Sequence, residues 1–584
     1  MNPSDRYPRL AERFGVDLRS LALFRVALGV MILCNLLAAS GDLRAFWSDA
    51  GIMPREWLTQ FADPARMSLY LVNGQPWFAS VLLALQGITA LALIVGWRAR
   101  LTAWLSFALW ISLLNRNPMV ATGSDAAIAV LLFWAGLLPT SARFAVDAAL
   151  STTVPPEAPR HLSCAAAGLT VTVAASYVLS ALGSPLGTVP GGGNPTALGA
   201  WLAQYGWLHD AAGAGVWWLF AAAWLLVPPL WPGAVRLLVL GLLCLAQLGH
   251  WLLLDDGSAA LTAIIALAAL LPPLFWQRLG TARTDDAGLA IYFDRDCAFC
   301  HKACLLLRQC LILGDTRILA AQDSARTRTL MEANHSWVVI DADEQAHLKW
   351  PAFVVLLKHS PLFGWSWRWL RSPRFEPAGN RLYDFVARHR GRFGAATTFL
   401  SFRRVRWSPS TPEHAAAILI TLLVVAGQLQ AAGGMTAHQS DVLTQPLRTL
   451  NLEAALIRTT PTMSTTHGRL LVSGRTTAGT EIDVFDPQAR APDYGTATGH
   501  APDGVRWRRY FERLLESGHA EQRPYLAAYL CRHWRNGEQL LRNVRLIEIR
   551  PRPMSAGGAS AAATEQRILL RHDCTGPNAP SDAP

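Results

Sequence analysis

Long apolar runs alternate with short polar or basic stretches along most of the chain. A helix needs roughly 20 apolar residues to cross a bilayer, and runs of about that length, some of them shorter, recur nine times. They are Leu21–Ala39, Trp77–Gly96, Leu101–Leu114, Ala126–Pro139, Leu162–Leu182, Val216–Leu230, Leu237–Leu254, Ala259–Trp276 and Ala415–Ala432. The pattern predicts a polytopic helical membrane bundle of about nine spans. Because the third and fourth runs are short, seven spans is the alternative.

The composition agrees with a membrane protein. Hydrophobic residues make up 52% of the chain and charged residues only 16%, and the 23 tryptophans suit bilayer interfaces. The net charge is +11, and arginine supplies nearly all of the positive charge. The arginines flank apolar runs and do not form one stripe, which argues against nucleic-acid binding. We therefore expect the lipid bilayer as a partner and no nucleic acid.

Arginines in the short loops predict the orientation. They precede the first run and lie between the second and third, the fourth and fifth, and the sixth and seventh runs. Short loops rich in arginine stay in the cytoplasm. This rule places the N-terminus and residues 277–414 inside and residues 433–584 outside, in a multi-pass protein of a bacterial inner (plasma) membrane.

A different pattern, with a pair of cysteines, follows the eighth run. Leu289–Phe293 predicts a buried strand and His301–Leu313 predicts a helix. Cys297 and Cys300 lie between them, one helical turn apart, so they can form a reversible disulfide. A helix N-terminus favours the thiolate, which is the nucleophile of disulfide exchange. We therefore assign attack to Cys297 and resolution to Cys300.

Neighbouring residues leave alternatives to a redox dithiol open. Cys304 and Cys310 follow the pair and invite a zinc site, although Cys310 is off the helical stripe of the others. A structural remnant without turnover is the third alternative. Asp294 and Asp296 are candidate supporting residues. A buried carboxylate could accept the resolving thiol's proton, although their negative charge would disfavour the thiolate.

Several stretches around the dithiol carry a family resemblance. They are Asp296–Cys300 as an Asp-Cys-x-x-Cys opening, Ala320–Asp323 as a second strand, Ser336–Asp341 as a third and Tyr383–Arg390 as a closing helix. Through these four stretches, Ile291–Gly394 resembles the DCC family of thiol-disulfide oxidoreductases, although Arg295 stands where that family usually has glycine. The resemblance implies a thioredoxin-like domain that reacts with a thiol-containing redox partner.

Three stretches near the N-terminus carry a second resemblance. Leu21–Gly29, Gly96–Leu101 and Asn115–Asp125 resemble the HTTM family of membrane domains, related to vitamin K-dependent gamma-carboxylase. That enzyme uses a lysine as its base, but no lysine precedes Lys302. Vitamin K-dependent carboxylation is therefore disfavoured. We expect no cofactor besides the dithiol, and a quinone enters by analogy alone.

Four residues in or beside the apolar runs are candidates for a membrane site. Arg25 either snorkels to the cytoplasmic interface or faces a lipid or quinone headgroup. Asp125 either caps its helix or lines an outward-facing site with Arg116 and Asn117. His250 is more typical of a core histidine than of a ligand. No metal site is predicted.

The chain beyond the ninth run predicts a small α+β domain with a disordered tail. Its predicted hairpin and two helices are Arg469–Phe485, Val505–Glu516 and Arg523–Trp534. Cys531 and Cys574 would lie in an oxidising compartment, where they are candidates for a structural disulfide.

The overall prediction is a mainly α protein in which a membrane bundle carries two extramembrane domains. Its units are an HTTM-like bundle of about eight spans at 1–278, a thioredoxin-like α/β domain at 287–395, a final span at 414–432 and a C-terminal α+β domain at 440–584. The predicted activity is protein thiol-disulfide exchange. Alternatively, the bundle acts on a lipid-soluble substrate or as a scaffold, and the dithiol domain is regulatory or structural.

Overall fold

The computed structural model describes most of the chain. The described residues are 8–61, 66–156, 159–183, 198, 201, 233–253, 257–280, 288–314, 316–431, 469–486, 488, 490–492, 504–534, 539–551 and 564–574. The predicted sixth span, Val216–Leu230, and most of the predicted C-terminal tail lie outside them. Within them, helices predominate over strands.

The first half of the chain folds into a helical bundle with one short strand pair. The pair joins β1 (Val16–Asp17) to β2 (Arg160–His161). The helices are α1 Pro8–Phe14, α2 Leu18–Ser40, α3 Leu43–Trp47, α4 Arg55–Phe61, α5 Pro76–Val95, α6 Ala99–Arg116, α7 Gly123–Leu137, α8 Val146–Ala149, α9 Cys164–Gly183, α10 Gly233–Leu253, α11 Gly257–Ala268 and α12 Pro273–Gly280. α2 packs on α5, α5 on α6 and α6 on α7. Helix α7 is buried on every side, as its apolar sequence after the first turn requires.

Two helices of the described chain, α2 and α5, are long and apolar enough to cross a membrane. The pair α11 and α12 makes a third candidate if it counts as one span. Nine spans are therefore not found among the described residues. The predicted eighth span, Ala259–Trp276, is broken between these two helices by a 91° bend. Pro272 and Pro273 lie at this break and cannot donate the backbone hydrogen bonds that would continue the helix. The predicted fourth span is only 15 residues long as α7.

The dithiol domain follows as a four-stranded sheet with helices. Its elements are β3 Ala290–Phe293, α13 Ala298–Cys310, β4 Arg317–Ala320, α14 Ala325–Asn334, β5 Val338–Ile340, β6 Ala346–Leu348, α15 Lys349–His359, α16 Trp367–Leu370, α17 Glu376–Arg388 and α18 Arg390–Ala396. The strand order is β4-β3-β5-β6, with β3 parallel to β4 and antiparallel to β5. α13 is the crossover that the parallel pair β3–β4 needs.

The sequence located this domain's first elements well and its later ones less well. β3 and α13 form where predicted, although α13 ends at Cys310. The second strand is β4, not Ala320–Asp323, because residues 321–323 form a 3₁₀ turn. The predicted closing helix Tyr383–Arg390 breaks at His389, which separates α17 from α18.

After helix α19 (Thr411–Ala431), the chain ends in a second α+β unit. Its elements are β7 Arg469–Thr476, β8 Glu481–Asp483, α20 Val505–Leu515, α21 Arg523–His533, β9 Leu541–Pro551 and β10 Thr564–Asp573. The strands pair antiparallel in the order β10-β9-β7-β8. The predicted hairpin and both predicted helices form, and β9 was not predicted. Cys531 on α21 and Cys574 after β10 form a disulfide.

The dithiol domain and the C-terminal unit lie near different ends of α2. Near its start, Arg25 donates to the Phe144 carbonyl at 2.7 Å, and the Phe144 N–H donates to Gln309 Oε1 of the dithiol domain at 3.1 Å. Beyond its end, Trp507 Nε1 of α20 donates to Asp42 Oδ1 at 3.0 Å. A helix of 23 residues such as α2 is about 34 Å long. The bundle therefore holds the two domains far apart.

Candidate functional site

The cysteine pair lies where strand β3 ends and helix α13 begins. Asp294 starts a tight turn, since its carbonyl accepts the Cys297 N–H at 3.1 Å and its Oδ1 accepts the Asp296 N–H at 3.2 Å. Cys297 is the N-cap of α13, and its Sγ accepts the Cys300 N–H at 3.2 Å. The N-cap position normally holds a short polar side chain that accepts such a bond. Here the acceptor is the sulfur atom of Cys297.

Cys297 and Cys300 are joined as a disulfide with a Cα–Cα distance of 5.2 Å. Both residues are half-buried. The pair is therefore oxidised in this structure, and it is not enclosed in the core. Exposed Asp296 and Arg295 flank it on the N-terminal side.

A polar network holds the turn before the dithiol. Arg295 forms an ion pair with Asp323, and the Arg295 N–H donates to Gln322 Oε1 at 3.2 Å. Gln322 Nε2 in turn donates to Asp294 Oδ1 at 2.9 Å. Arg390, at the start of α18, lies 3.3 Å from Asp294 Oδ2. Of the two candidate supporting carboxylates, Asp294 is therefore bonded and charge-compensated, whereas Asp296 is exposed.

His301 adjoins the dithiol, and the sequence prediction did not select it. Its ring stacks on Phe293 with centroids 4.4 Å apart, and it lies 5.8 Å from the ring of Phe402. Burial lowers the pKa of His301, so the imidazole is neutral near pH 7. Its position directly after Cys300 was the feature of the sequence that could have drawn attention to it.

The remaining two cysteines of the cluster differ in their surroundings. Cys304 is buried in the same hydrophobic core as Ile291 and Leu356, and burial raises its pKa to about 12. It is therefore a protonated apolar filler. Cys310 is exposed at the end of α13. No group of three or more His, Cys, Asp or Glu side chains within the described ranges could hold a metal ion.

Arg25 neither snorkels nor reaches the surface. It is fully buried, and its guanidinium donates to the carbonyls of Thr140 at 3.2 Å and Phe144 at 2.7 Å. The close approach requires Gly96, because a Cβ there would lie 2.2 Å from Arg25 Nη1. Gly96 also ends α5 in the left-handed region, with φ of 70°. Arg25 thus joins α2 to the segment that contacts the dithiol domain.

The other candidate membrane-site residues do not form one described cluster. Asp125 makes a capping box with Thr122 at the start of α7, so its capping role is observed. Arg116 is fully buried and pairs with Asp49 at 3.2 Å, and it also donates to the Met53 carbonyl. The neighbour of Arg116, Asn117, donates to the Phe46 carbonyl at 3.0 Å. His250 belongs to α10, but its side chain lies outside the described residues.

Two further side-chain contacts fasten the segment after the dithiol domain to the bundle. Arg403 pairs with the buried Asp147 at 2.7 Å. Asp147 also accepts the backbone N–H groups of Arg98 and Ala99 at the start of α6. The rings of Trp97 and Phe399 meet edge to face, 5.7 Å apart. The dithiol helix is thereby held at the end of the bundle where α5 turns into α6.

Comparison with known proteins identifies one part of the chain. No curated protein and no solved structure matches it. A family model, DCC1-like thiol-disulfide oxidoreductase, matches residues 291–395, which is under a fifth of the 584 residues. The match begins in β3 and ends in α18, so it covers the dithiol, the turn network and all of the four-stranded sheet except its first residue. Residues 291–395 are therefore a DCC1-like thiol-disulfide oxidoreductase domain.

Proposed function

We propose that the chain is a membrane-anchored protein thiol-disulfide oxidoreductase in which Cys297 attacks and Cys300 resolves. The observation that carries the proposal is the position of Cys297, half-buried at the N-cap of α13 with its sulfur on the Cys300 N–H at 3.2 Å. Amide donors and the helix dipole stabilise a thiolate there. The strand order β4-β3-β5-β6 supports a thioredoxin-like fold for the domain.

The reaction is a pair of thiol-disulfide exchanges. In the reduced enzyme, the Cys297 thiolate attacks one sulfur of a partner disulfide, and the other partner sulfur leaves as a thiolate that takes up a proton. The Cys300 thiol loses its proton and attacks Cys297 Sγ. This step closes the Cys297–Cys300 disulfide and releases the second partner thiol. Two electrons pass from the enzyme to the partner, and the reverse sequence oxidises a partner dithiol.

Membrane anchoring is supported by α2 and α5. One face of α5 exposes an apolar row suited to lipid: Trp77, Val81, Leu85, Ile88, Leu91 and Val95. We assign the helices on both sides of the dithiol domain to an HTTM-like bundle. The contacts at opposite ends of α2 support a topology with the dithiol domain in the cytoplasm and the C-terminal domain outside.

A trapping experiment tests the exchange reaction. Purified full-length Cys300→Ser protein in nanodiscs is mixed with a fluorescent peptide disulfide and analysed without reductant. We expect a mixed disulfide on Cys297, because no resolving thiol releases it. Cys297→Ser should give no adduct at residue 300. Cys310→Ser, which removes an exposed thiol from the same helix, is the control and should turn over normally. An adduct-free Cys300→Ser protein would contradict the assignment.

The bundle itself is the second candidate for the functional part, and Gln86 on α5 favours it. Gln86 is buried, and neither its Oε1 nor its Nε2 has a described hydrogen-bond partner. One turn further on, Thr89 accepts a hydrogen bond from Ser106 of α6 at 2.9 Å. A buried unpaired amide inside an apolar bundle is costly unless it serves a ligand. Under this alternative, binding of a lipid-soluble substrate survives Cys297→Ser and fails in Gln86→Leu.

A further inference from the structure

The segment between α15 and α17 exposes large aromatic residues. It comprises residues 361–375 and is called the Trp-Arg loop below. Trp365 is 73% exposed and Trp369 is 72% exposed, and Leu362, Phe363 and Phe375 are also exposed. So many large apolar side chains in one short surface segment indicate a binding surface.

Cations accompany these aromatic residues. Lys358, Arg368 and Arg371 each lie 5.8 to 5.9 Å from the centre of the Trp367 ring. Arg374 is exposed a few residues further on. Between residues 358 and 375 the sequence has four Lys and Arg and no Asp or Glu. The surface is therefore both apolar and positively charged.

We propose that the Trp-Arg loop docks on the surface of an anionic phospholipid bilayer. Tryptophan favours the headgroup region because its ring is amphipathic, and arginine binds lipid phosphates. Each cation near an anionic surface strengthens such binding. The inference rests on the proposed membrane anchoring and extends it from the bundle to the dithiol domain.

The attachment of the domain favours a membrane as the occupant over a soluble partner. Arg403 holds the chain after α18 on Asp147, and Phe399 contacts Trp97 at the turn that follows the exposed apolar face of α5. The domain is therefore fixed beside the end of a helix that is suited to lipid. Because the bundle already holds the domain at the membrane, the Trp-Arg loop could bind the bilayer without diffusing to it first.

Site-specific photo-crosslinking tests the proposal on the full chain. Benzoylphenylalanine is placed singly at Trp365, Trp369, Asp343 or Leu85. Asp343 is an exposed position in the same domain, on the β5–β6 turn, and Leu85 lies on the exposed face of α5. Each protein is irradiated in nanodiscs of phosphatidylglycerol with phosphatidylcholine, or of phosphatidylcholine alone. Lipid adducts are quantified by mass spectrometry.

We expect lipid adducts at residues 365 and 369 several-fold above those at 343, with yields that fall in phosphatidylcholine alone. The variant Arg368→Gln/Arg371→Gln should lower the yields in the anionic discs by several-fold. Adducts at 85 without adducts at 365 and 369 would overturn the docking proposal and leave membrane anchoring intact. Crosslinks from 365 or 369 to a co-purifying protein or nucleic acid in place of lipid would also overturn it. No adducts at any position, 85 included, would refute the anchoring on which it rests.

Discussion

The chain carries two disulfides that differ in almost every physical respect. Cys297–Cys300 joins residues three apart at the start of a helix, whereas Cys531–Cys574 joins residues 43 apart and ties α21 to the end of β10. The sulfur of Cys297 also caps its helix, so this pair adjoins hydrogen-bond donors that favour a thiolate. Under the proposed function, the first disulfide undergoes exchange and the second stabilises its domain.

Loop length makes the difference quantitative. In the chain-entropy account, a cross-link over 43 residues destabilises the unfolded chain by about 4 kcal/mol, and one over three residues by about 2 kcal/mol. Folding therefore favours the Cys297–Cys300 bond less strongly than the Cys531–Cys574 bond. Under the proposed topology, the two pairs lie in different redox compartments.

The largest expected effect is on catalysis. Cys297→Ser should reduce disulfide exchange with a peptide substrate to background, because it removes the proposed nucleophile. Cys531→Ser should retain the exchange rate of the wild type under conditions in which both proteins stay folded. Exchange is followed by fluorescence of a dye-quenched peptide disulfide. Equal losses in both variants would mean that the two disulfides do not divide the roles as described.

For stability, loss of the Cys531–Cys574 disulfide should have the larger effect. The double variant Cys531→Ala/Cys574→Ala should lower the unfolding free energy of the C-terminal domain by about 4 kcal/mol. Cys297→Ala/Cys300→Ala should cost the dithiol domain no more than about 2 kcal/mol. Pulse proteolysis in a urea series, read on fragments from each domain, measures both. A larger loss in the dithiol domain would contradict the comparison.

These contrasts also show how far the sequence could predict the molecule. The dithiol, its strand and its helix depend on short-range patterns, so their positions were predictable. β4 was misplaced because the match at Ala320–Asp323 reflects a turn that holds Arg295, not a strand. Arg25 donates to the carbonyls of Thr140 and Phe144, which lie more than 100 residues away in sequence. Its burial therefore could not be read from its own span.

The number of spans was hard to predict for a related reason. Apolar runs show where a helix forms, but neighbouring helices and prolines decide whether it crosses a membrane. α7 is short and enclosed by other helices, and Pro272 and Pro273 lie where α11 and α12 separate. Hydropathy along the chain does not distinguish such helices from spans.

An intermediate effect is expected on the stability of the two junctions, one at Arg25 and one at Trp507. Arg25→Met removes both donors to the Thr140 and Phe144 carbonyls, which should destabilise the junction with the dithiol domain by about 2 kcal/mol. Trp507→Phe removes one hydrogen bond to Asp42 and should cost the C-terminal junction about 1 kcal/mol. The urea dependence of protease cleavage beside each junction reports these changes. An unchanged cleavage profile for Arg25→Met would refute the anchoring role.

The smallest effect is a pH dependence confined to the dithiol domain. Because burial lowers the pKa of His301, the unfolded chain binds a proton there more readily than the folded domain does. Stability should therefore fall as the pH drops below about 6.5, the ordinary histidine value. His301→Gln should flatten this part of the profile, measured by pulse proteolysis between neutral and mildly acidic pH. A domain that becomes more stable on acidification would contradict the sign.

The division between an exchanging and a static disulfide is tested most directly by a redox titration of the full chain. Protein in nanodiscs is equilibrated in a series of glutathione buffers, thiols are alkylated, and each cysteine peptide is quantified by mass spectrometry. We predict that Cys297 and Cys300 become reduced together in a two-electron transition, while Cys531 and Cys574 remain paired across the series. Simultaneous reduction of both pairs, or reduction of Cys531–Cys574 first, would contradict the account.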